Sequence, residues 1–203
     1  MAECVLVLSM SEKCPATTRD LIGVERGALM LAAEHRKMTL AVGDFDSVTD
    51  EERKLIEEYA EDVIRLNNVK DDSDSEAAIR YVLSHGYDRV YVYGAFGGRL
   101  DHEIVNLRLA AIFPNQVTLV DDQNVVCALK KGSYQLKRNT FTYISFFAPE
   151  KAVISLRGMK YPLYRKTMTY ADLFGLSNEI KDEEGILNVH EGTILMIQSR
   201  DKK

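Results

Sequence analysis

The feature that most restricts how this chain can fold is the alternation, over its first 120 residues, of short β-branched runs with helical patterns. Such alternation is the signature of a parallel sheet covered by helices. The expected strands lie at residues 5–8, 21–24, 40–42, 63–66, 90–93 and 117–120. Two of the intervening helices carry start signals, since Thr49 with Glu52 and Ser73 with Glu76 both match the capping box. A further helix is predicted over residues 100–113, where Ile104, Leu107 and Ala111 share one face and Pro114 stops it.

After Asp121 the helical patterns cease. Strand-like runs at residues 125–129, 143–147, 152–156 and 193–198 are punctuated by Gly, Pro and Asn. The reading is therefore an α/β N-terminal domain with a mostly parallel sheet flanked by helices, over residues 1–124. A small all-β C-terminal sandwich follows over residues 125–203.

Composition narrows the function. A net charge of −5 disfavours a nucleic-acid surface, which needs a basic stripe to displace counterions. No apolar run approaches the roughly 18 residues of a membrane span. The N-terminus lacks the basic and long apolar regions of a secretory signal, and residues 4–8 read as a first strand. Cys4, Cys14 and Cys127 are an odd, unpaired set that suggests neither a disulfide framework nor a thiolate zinc site, and a reducing cytoplasm is the expected setting.

The acids are concentrated between Asp44 and Asp101. In an open α/β sheet, ligands bind outside the carboxyl ends of the strands, where the loops face a crevice and helix N-termini offer free amides. Three segments are expected there. Gly43-Asp44-Phe45-Asp46-Ser47 directly follows a strand, and if extended it aims both carboxylates one way with Phe45 turned inward. Lys70-Asp71-Asp72-Ser73-Asp74 precedes a helix, and capping needs one acceptor rather than three acids. Gly97-Gly98-Arg99 opens the helix that contains Asp101 and His102, a pattern suited to phosphate because amides donate and a guanidinium grips two oxygens. Asp101 can cap, pair with Arg99 or ligate a metal.

Neighbouring strand ends lie about 4.8 Å apart, so acids on them come within reach of one ion. Each pair of carboxylates ~5 Å apart repels by roughly 3 kcal/mol at an effective dielectric of ~20, which a cation offsets. Oxygen-only ligation favours Mg²⁺ or Mn²⁺ over zinc, and Mg²⁺ commonly shares its coordination with substrate phosphates.

Taken in order, four segments resemble the thiamine pyrophosphokinase (thiamine diphosphokinase) family. They are residues 43–47, residues 70–74, Gly97-Gly98-Arg99-Leu100-Asp101-His102 with Asn106 further along the helix, and Leu176-Ser177-Asn178-Glu179. The resemblance spans nearly the whole chain. It implies transfer of the β,γ-diphosphoryl unit of ATP to the hydroxyethyl oxygen of thiamine, giving thiamine diphosphate and AMP. It also implies a homodimer whose N-terminal domain binds ATP and Mg²⁺ while the β-sandwich helps bind thiamine at the interface. On that pattern Asp44, Asp46, Asp71, Asp74 and Asp101 are the acidic catalytic and metal-site residues, with Arg99 as a phosphate contact. Lys70, Gly97, Gly98 and His102 join Arg99 as candidate ATP contacts, and Ser177 and Asn178 fall in the thiamine motif.

Some positions depart from the family. Residues 9–15 are poorer in glycine than in many members, and Glu25 stands where an Asp is common, although the longer acid can still accept a hydrogen bond. With no Trp in the chain, any stacking on thiamine falls to Tyr or Phe, with Tyr161, Tyr164 and Tyr170 as candidates. Two competing readings remain open: an Asp-x-Asp phosphohydrolase using Asp44 as nucleophile, and a regulator that binds nucleotide or thiamine without turnover. His35 and His85 read as structural residues at helix C-termini.

Overall fold

A computed structural model describes residues 1–66 and 73–202, and its chain divides into two compact units, Met1–Asn106 and Leu107–Lys203. In the first unit, strands β1 (Glu3–Val7), β2 (Asp20–Val24), β3 (Met38–Gly43), β4 (Ala60–Arg65) and β5 (Arg89–Tyr93) pair in the order β4-β3-β2-β1-β5. All of these pairings are parallel. Helices α1 (Arg26–Ala33), α2 (Asp50–Tyr59) and α3 (Asp74–Ser84) link successive strands from β2 to β5. The chain thus runs outward from β1 to β4 and returns through α3 to the other side of β1. That reversal is a topological switch point, where the loops after β1 and β5 diverge and leave a crevice.

The local signals explain these elements. Thr49 Oγ1 accepts the Glu52 amide while the Glu52 carboxylate accepts the Thr49 amide, which completes the capping box of α2. At α3, Ser73 caps the Glu76 amide, and the Glu76 carboxylate turns to Arg80 instead. Ala28, Leu31 and Ala32 of α1 and Ile56 of α2 pack with Val5, Val7, Ala41 and Phe45 in one buried cluster.

Helix α4 (Leu100–Ile112) ends two residues before Pro114, as expected, but its buried face differs from the expected one. Asn106, Leu109 and Ala110 are buried, whereas Ile104 is 43% exposed. Apolar residues lie nearly all round this helix, so periodicity does not single out one face; packing chooses it.

The second unit holds β6 (Val117–Val120), β7 (Asn124–Leu129), β8 (Gly132–Lys137), β9 (Tyr143–Phe147), β10 (Lys151–Arg157), β11 (Leu163–Thr169), β12 (Glu184–Glu191) and β13 (Ile194–Ser199). One antiparallel sheet runs β6-β7-β13-β9 and the other β11-β10-β12-β8. Ile144, Phe146 and Met196 of the first sheet meet Ile154, Leu156, Leu187 and Val189 of the second in a shared core, which makes the unit a β-sandwich. Strands β8, β11 and β12 were not expected. β8 and β11 are edge strands whose polar, largely exposed side chains carry little apolar alternation. Among the described residues, no helix is long and apolar enough to cross a membrane.

All three cysteines are free thiols. Cys4 is buried and Cys14 and Cys127 are half-buried; burial pushes the Cys4 thiol up to about 12 and the Cys127 thiol to about 11, and raises the Cys14 thiol by less. Titration of the native protein with a thiol-specific disulfide reagent is expected to modify Cys14 first, Cys127 more slowly and Cys4 only on unfolding. Equal rates for all three, read by peptide mapping, would contradict this packing.

Candidate active site

The site begins with Glu25, the residue immediately after β2. Its side chain is buried, and its Oε1 accepts the backbone amides of Asp44 at 2.5 Å and Phe45 at 3.3 Å. Gly43 makes this possible, because a Cβ added there would stand 2.1 Å from that same Oε1. Glu25 (φ 53°) and Phe45 (φ 55°) both occupy the left-handed region, which is costly for side chains of this size. Burial of Phe45 in the core and the Glu25 carboxylate on the amides hold both in place.

The Asp44–Asp46 segment is therefore a turn, so the extended condition under which both carboxylates would aim one way is not met. Asp44 Oδ1 accepts the Asp46 amide at 2.9 Å, and Phe45 points inward as anticipated. Asp74, at the first position of α3, faces the same crevice. One carboxylate oxygen each from Glu25, Asp44 and Asp74 lies within 4.8 Å of the others. An all-oxygen set at this spacing fits a hard divalent cation such as Mg²⁺ or Mn²⁺.

The remaining expected acids stand differently. Asp46 is exposed and outside that trio, though its charge acts on Asp74. Asp101 is exposed and paired with Arg99, whose Nη2 lies 2.5 Å from Oδ2 and Nε 3.1 Å from Oδ1. The guanidinium holds the Asp101 carboxyl below the usual carboxylate range. Lys70 and Asp71 lie outside the described residues.

A crevice of about 250 Å³ is lined by apolar Leu8, Met10, Val24 and Ala95 together with Glu25, Asp74, Arg99 and His102. The amides of Gly97 and Gly98 both donate to Glu103 Oε1, at 2.9 and 3.2 Å. Asn106 braces the floor: its Nδ2 donates to the Ala95 carbonyl and its Oδ1 accepts Ser75 Oγ, each at 2.9 Å. This buried amide ties the start of α3, where Asp74 sits, to the loop after β5.

In the sandwich unit, Ser177 has a positive φ of 54° and its amide donates to Ser145 Oγ. The Asn178 side chain is buried, accepting the amides of Tyr161 and Glu179 and donating to the Tyr161 carbonyl. Its observed contacts therefore fix the main chain around Tyr161, whose ring is exposed.

Glu25 is the member of the carboxylate trio that motif reading left unassigned. Its signal was position: an acid directly after a strand, at the same sheet edge as Asp44. Glu103 and the bracing role of Asn106 carried no such signal, because both depend on where α4 lies.

Oxygen donors beside a glycine-opened helix, at the switch point of a parallel sheet, define a phosphate-handling enzyme of the α/β class. Comparison with known proteins makes this specific. The profile for the thiamin pyrophosphokinase catalytic domain matches residues 15–121, and that for the thiamin pyrophosphokinase vitamin B1 binding domain matches residues 133–194. Thiamine pyrophosphokinase of Bacillus subtilis (strain 168) is 32% identical over 186 residues, covering 89% of this chain and 87% of the relative. The crystal structure of a thiamin pyrophosphokinase family protein from Enterococcus faecalis superposes with a TM-score of 0.88 at 31% identity, covering 99% of this chain and all of the other. Yeast thiamin pyrophosphokinase, at 11% identity and a TM-score of 0.77 over 98% of this chain and 86% of its own, shares the fold. The chain belongs to the thiamine pyrophosphokinase family.

Two outcomes follow from the geometry. Asn106→Ala removes the side-chain donor to the Ala95 carbonyl and one of the two partners of the Ser75 hydroxyl, the other being Ser73 Oγ, and is expected to lower unfolding free energy by about 1–3 kcal/mol in urea titration. An unchanged midpoint would show that the brace is dispensable. Burial first, then the charges of Asp44 and Asp46, raises the proton affinity of Asp74. The folded protein therefore holds this proton to higher pH than the unfolded chain does, so ionising Asp74 lowers stability as pH rises above the ordinary range near ~4. Without divalent cations, Asp74→Asn is expected to melt above the wild type at about pH 7, the gap closing towards about pH 4. A variant melting at or below the wild type at neutral pH would refute the strain.

Proposed function

We infer that this protein is a thiamine diphosphokinase, transferring the β,γ-diphosphoryl unit of ATP to thiamine and releasing AMP. The observation that carries this reading is the trio Glu25, Asp44 and Asp74, set beside the Gly97–Gly98 turn in a chain that matches both domains of the family.

The chemistry requires in-line approach of the thiamine hydroxyl oxygen to the β-phosphorus, so that the new O–P bond forms as the bond from that phosphorus to the bridging oxygen of AMP breaks. The hydroxyl proton passes to a crevice carboxylate. Glu25, Asp44 and Asp74 are assigned as ligands of Mg²⁺ or Mn²⁺, with Asp46, Asp71 and Asp101 completing the acidic site. When bound, the cation supplies charge neutralisation on the phosphate oxygens. Arg99, with Lys70, His102 and the glycine turn, is assigned to the phosphates. Leu8, Met10, Val24 and Ala95 offer an apolar wall for the nucleoside. The same negative crevice favours the permanently cationic thiazolium of thiamine.

Residues 1–124 are assigned as the ATP and metal domain, and residues 125–203 as the thiamine domain containing Ser177 and Asn178. Exposed Tyr161, Tyr164, Tyr170, Leu173, Phe174 and Leu176 in the sandwich unit support a homodimer with thiamine at its interface. Free thiols favour a cytoplasmic setting.

The decisive assay measures AMP release from ATP with and without thiamine and Mg²⁺. Release is expected only when both are present, and Asp44→Asn, Asp74→Asn or Glu25→Gln is expected to reduce it on the order of a hundredfold or more while the fold persists. AMP or inorganic phosphate formed at equal rates without thiamine would exclude thiamine as the acceptor.

A further inference from the structure

Both elements expected to grip phosphate are already engaged by carboxylates of the helix they open. The amides of Gly97 and Gly98 converge on a single oxygen of Glu103, at 2.9 and 3.2 Å. Arg99 is folded back onto Asp101 through two hydrogen bonds. Glu103 is half-buried, lines the crevice and projects from the first turn of α4 back over the glycine turn. Five and six residues separate it from its donors, a reach longer than that of a capping box, whose acid returns to the N-cap amide. Two amides directed at one anionic oxygen form an anion nest, and its occupant here is part of the chain.

We propose that Glu103 is a resident placeholder for a nucleotide phosphate oxygen: its carboxylate keeps the Gly97–Gly98 turn formed while the crevice is empty, and ATP must displace it to reach those amides. The proposal rests on the nucleotide-binding reading above and adds a competition within the same site. Glu103 is thus a positioning residue with an affinity cost. Displacement exchanges one charge-assisted pair of hydrogen bonds for another, so the gain from the phosphate contact is reduced by the loss of the internal one. The Glu103 charge also adds to those of Glu25, Asp44 and Asp74, which biases the crevice towards a polyphosphate that arrives with its cations over a small free anion.

The test is calorimetric titration of Mg-ATP, without thiamine, into the full-length wild type, E103Q and E103A. E103Q keeps the side-chain size and an acceptor oxygen but removes the charge. It is expected to bind Mg-ATP on the order of tenfold more tightly than the wild type. E103A is expected to bind more tightly by a smaller factor, because the turn also loses its fastening. Equal or weaker binding by E103Q overturns the placeholder and leaves Glu103 as a fastener of the turn. A wild type that binds no Mg-ATP overturns the nucleotide reading and this inference together. A second measurement needs no variant: in ¹⁵N-labelled wild type, the amide signals of Gly97 and Gly98 are expected to move on adding Mg-ATP, as their acceptor changes. Signals that remain in place while other crevice amides shift overturn the proposal.

Discussion

Parallel pairing is the constraint on which the rest depends. When β1, β2, β3 and β5 run side by side in one direction, every loop that leaves a carboxyl end leaves from the same edge. Glu25 after β2 and the Gly94–Ala95 loop after β5 thereby line one crevice from positions as far apart as residues 25 and 95, and Asp44 after β3 comes within 4.8 Å of Glu25. The reversal of strand order between β1 and β5 opens the space between them.

Within that frame the acids are not placed cheaply. Glu25 and Phe45 sit in backbone conformations that bulky side chains avoid, and Glu25 and Asp74 both hold their protons more tightly than free carboxylic acids do. Burial is the largest cause in each case, and the other carboxylates add to it. Such strain persists because surrounding packing over-determines it. A cation shared among the three carboxylates, as proposed above, would relieve the repulsion and so couple binding to stability. Asn106 and Gly43 serve this arrangement without carrying charge: one ties two loops together, and the other yields the volume that the Glu25 carboxylate fills.

Much of this was legible in the chain because it is local. The capping residues Thr49 and Ser73 and the helix stop near Pro114 rest on interactions spanning a few residues, and the strands β1 to β7, although paired with distant partners, are marked by short β-branched runs within themselves. Acids after strands were legible for the same reason. The edge strands β8 and β11 were not, since they bury little apolar surface and leave no alternation to detect. The turn at Asp44–Asp46 is not legible in the sequence, because nothing within those residues reveals the Glu25 carboxylate that receives the Asp44 and Phe45 amides, 19 and 20 residues away.

The sequence by itself determined the class of fold, the order of its two parts, the family motifs and the oxygen-only character of the candidate metal site. Those follow from residue type and short spacing, which the chain carries in its covalent order. Only the tertiary structure decided which carboxylates meet: Glu25 joins Asp44 and Asp74, while Asp101 turns to Arg99 and Glu103 claims the glycine amides. The physical reason is that a carboxylate binds whichever donor or cation packing brings within about 3 Å, and that distance is set by how strands and helices settle against one another, not by their separation in sequence.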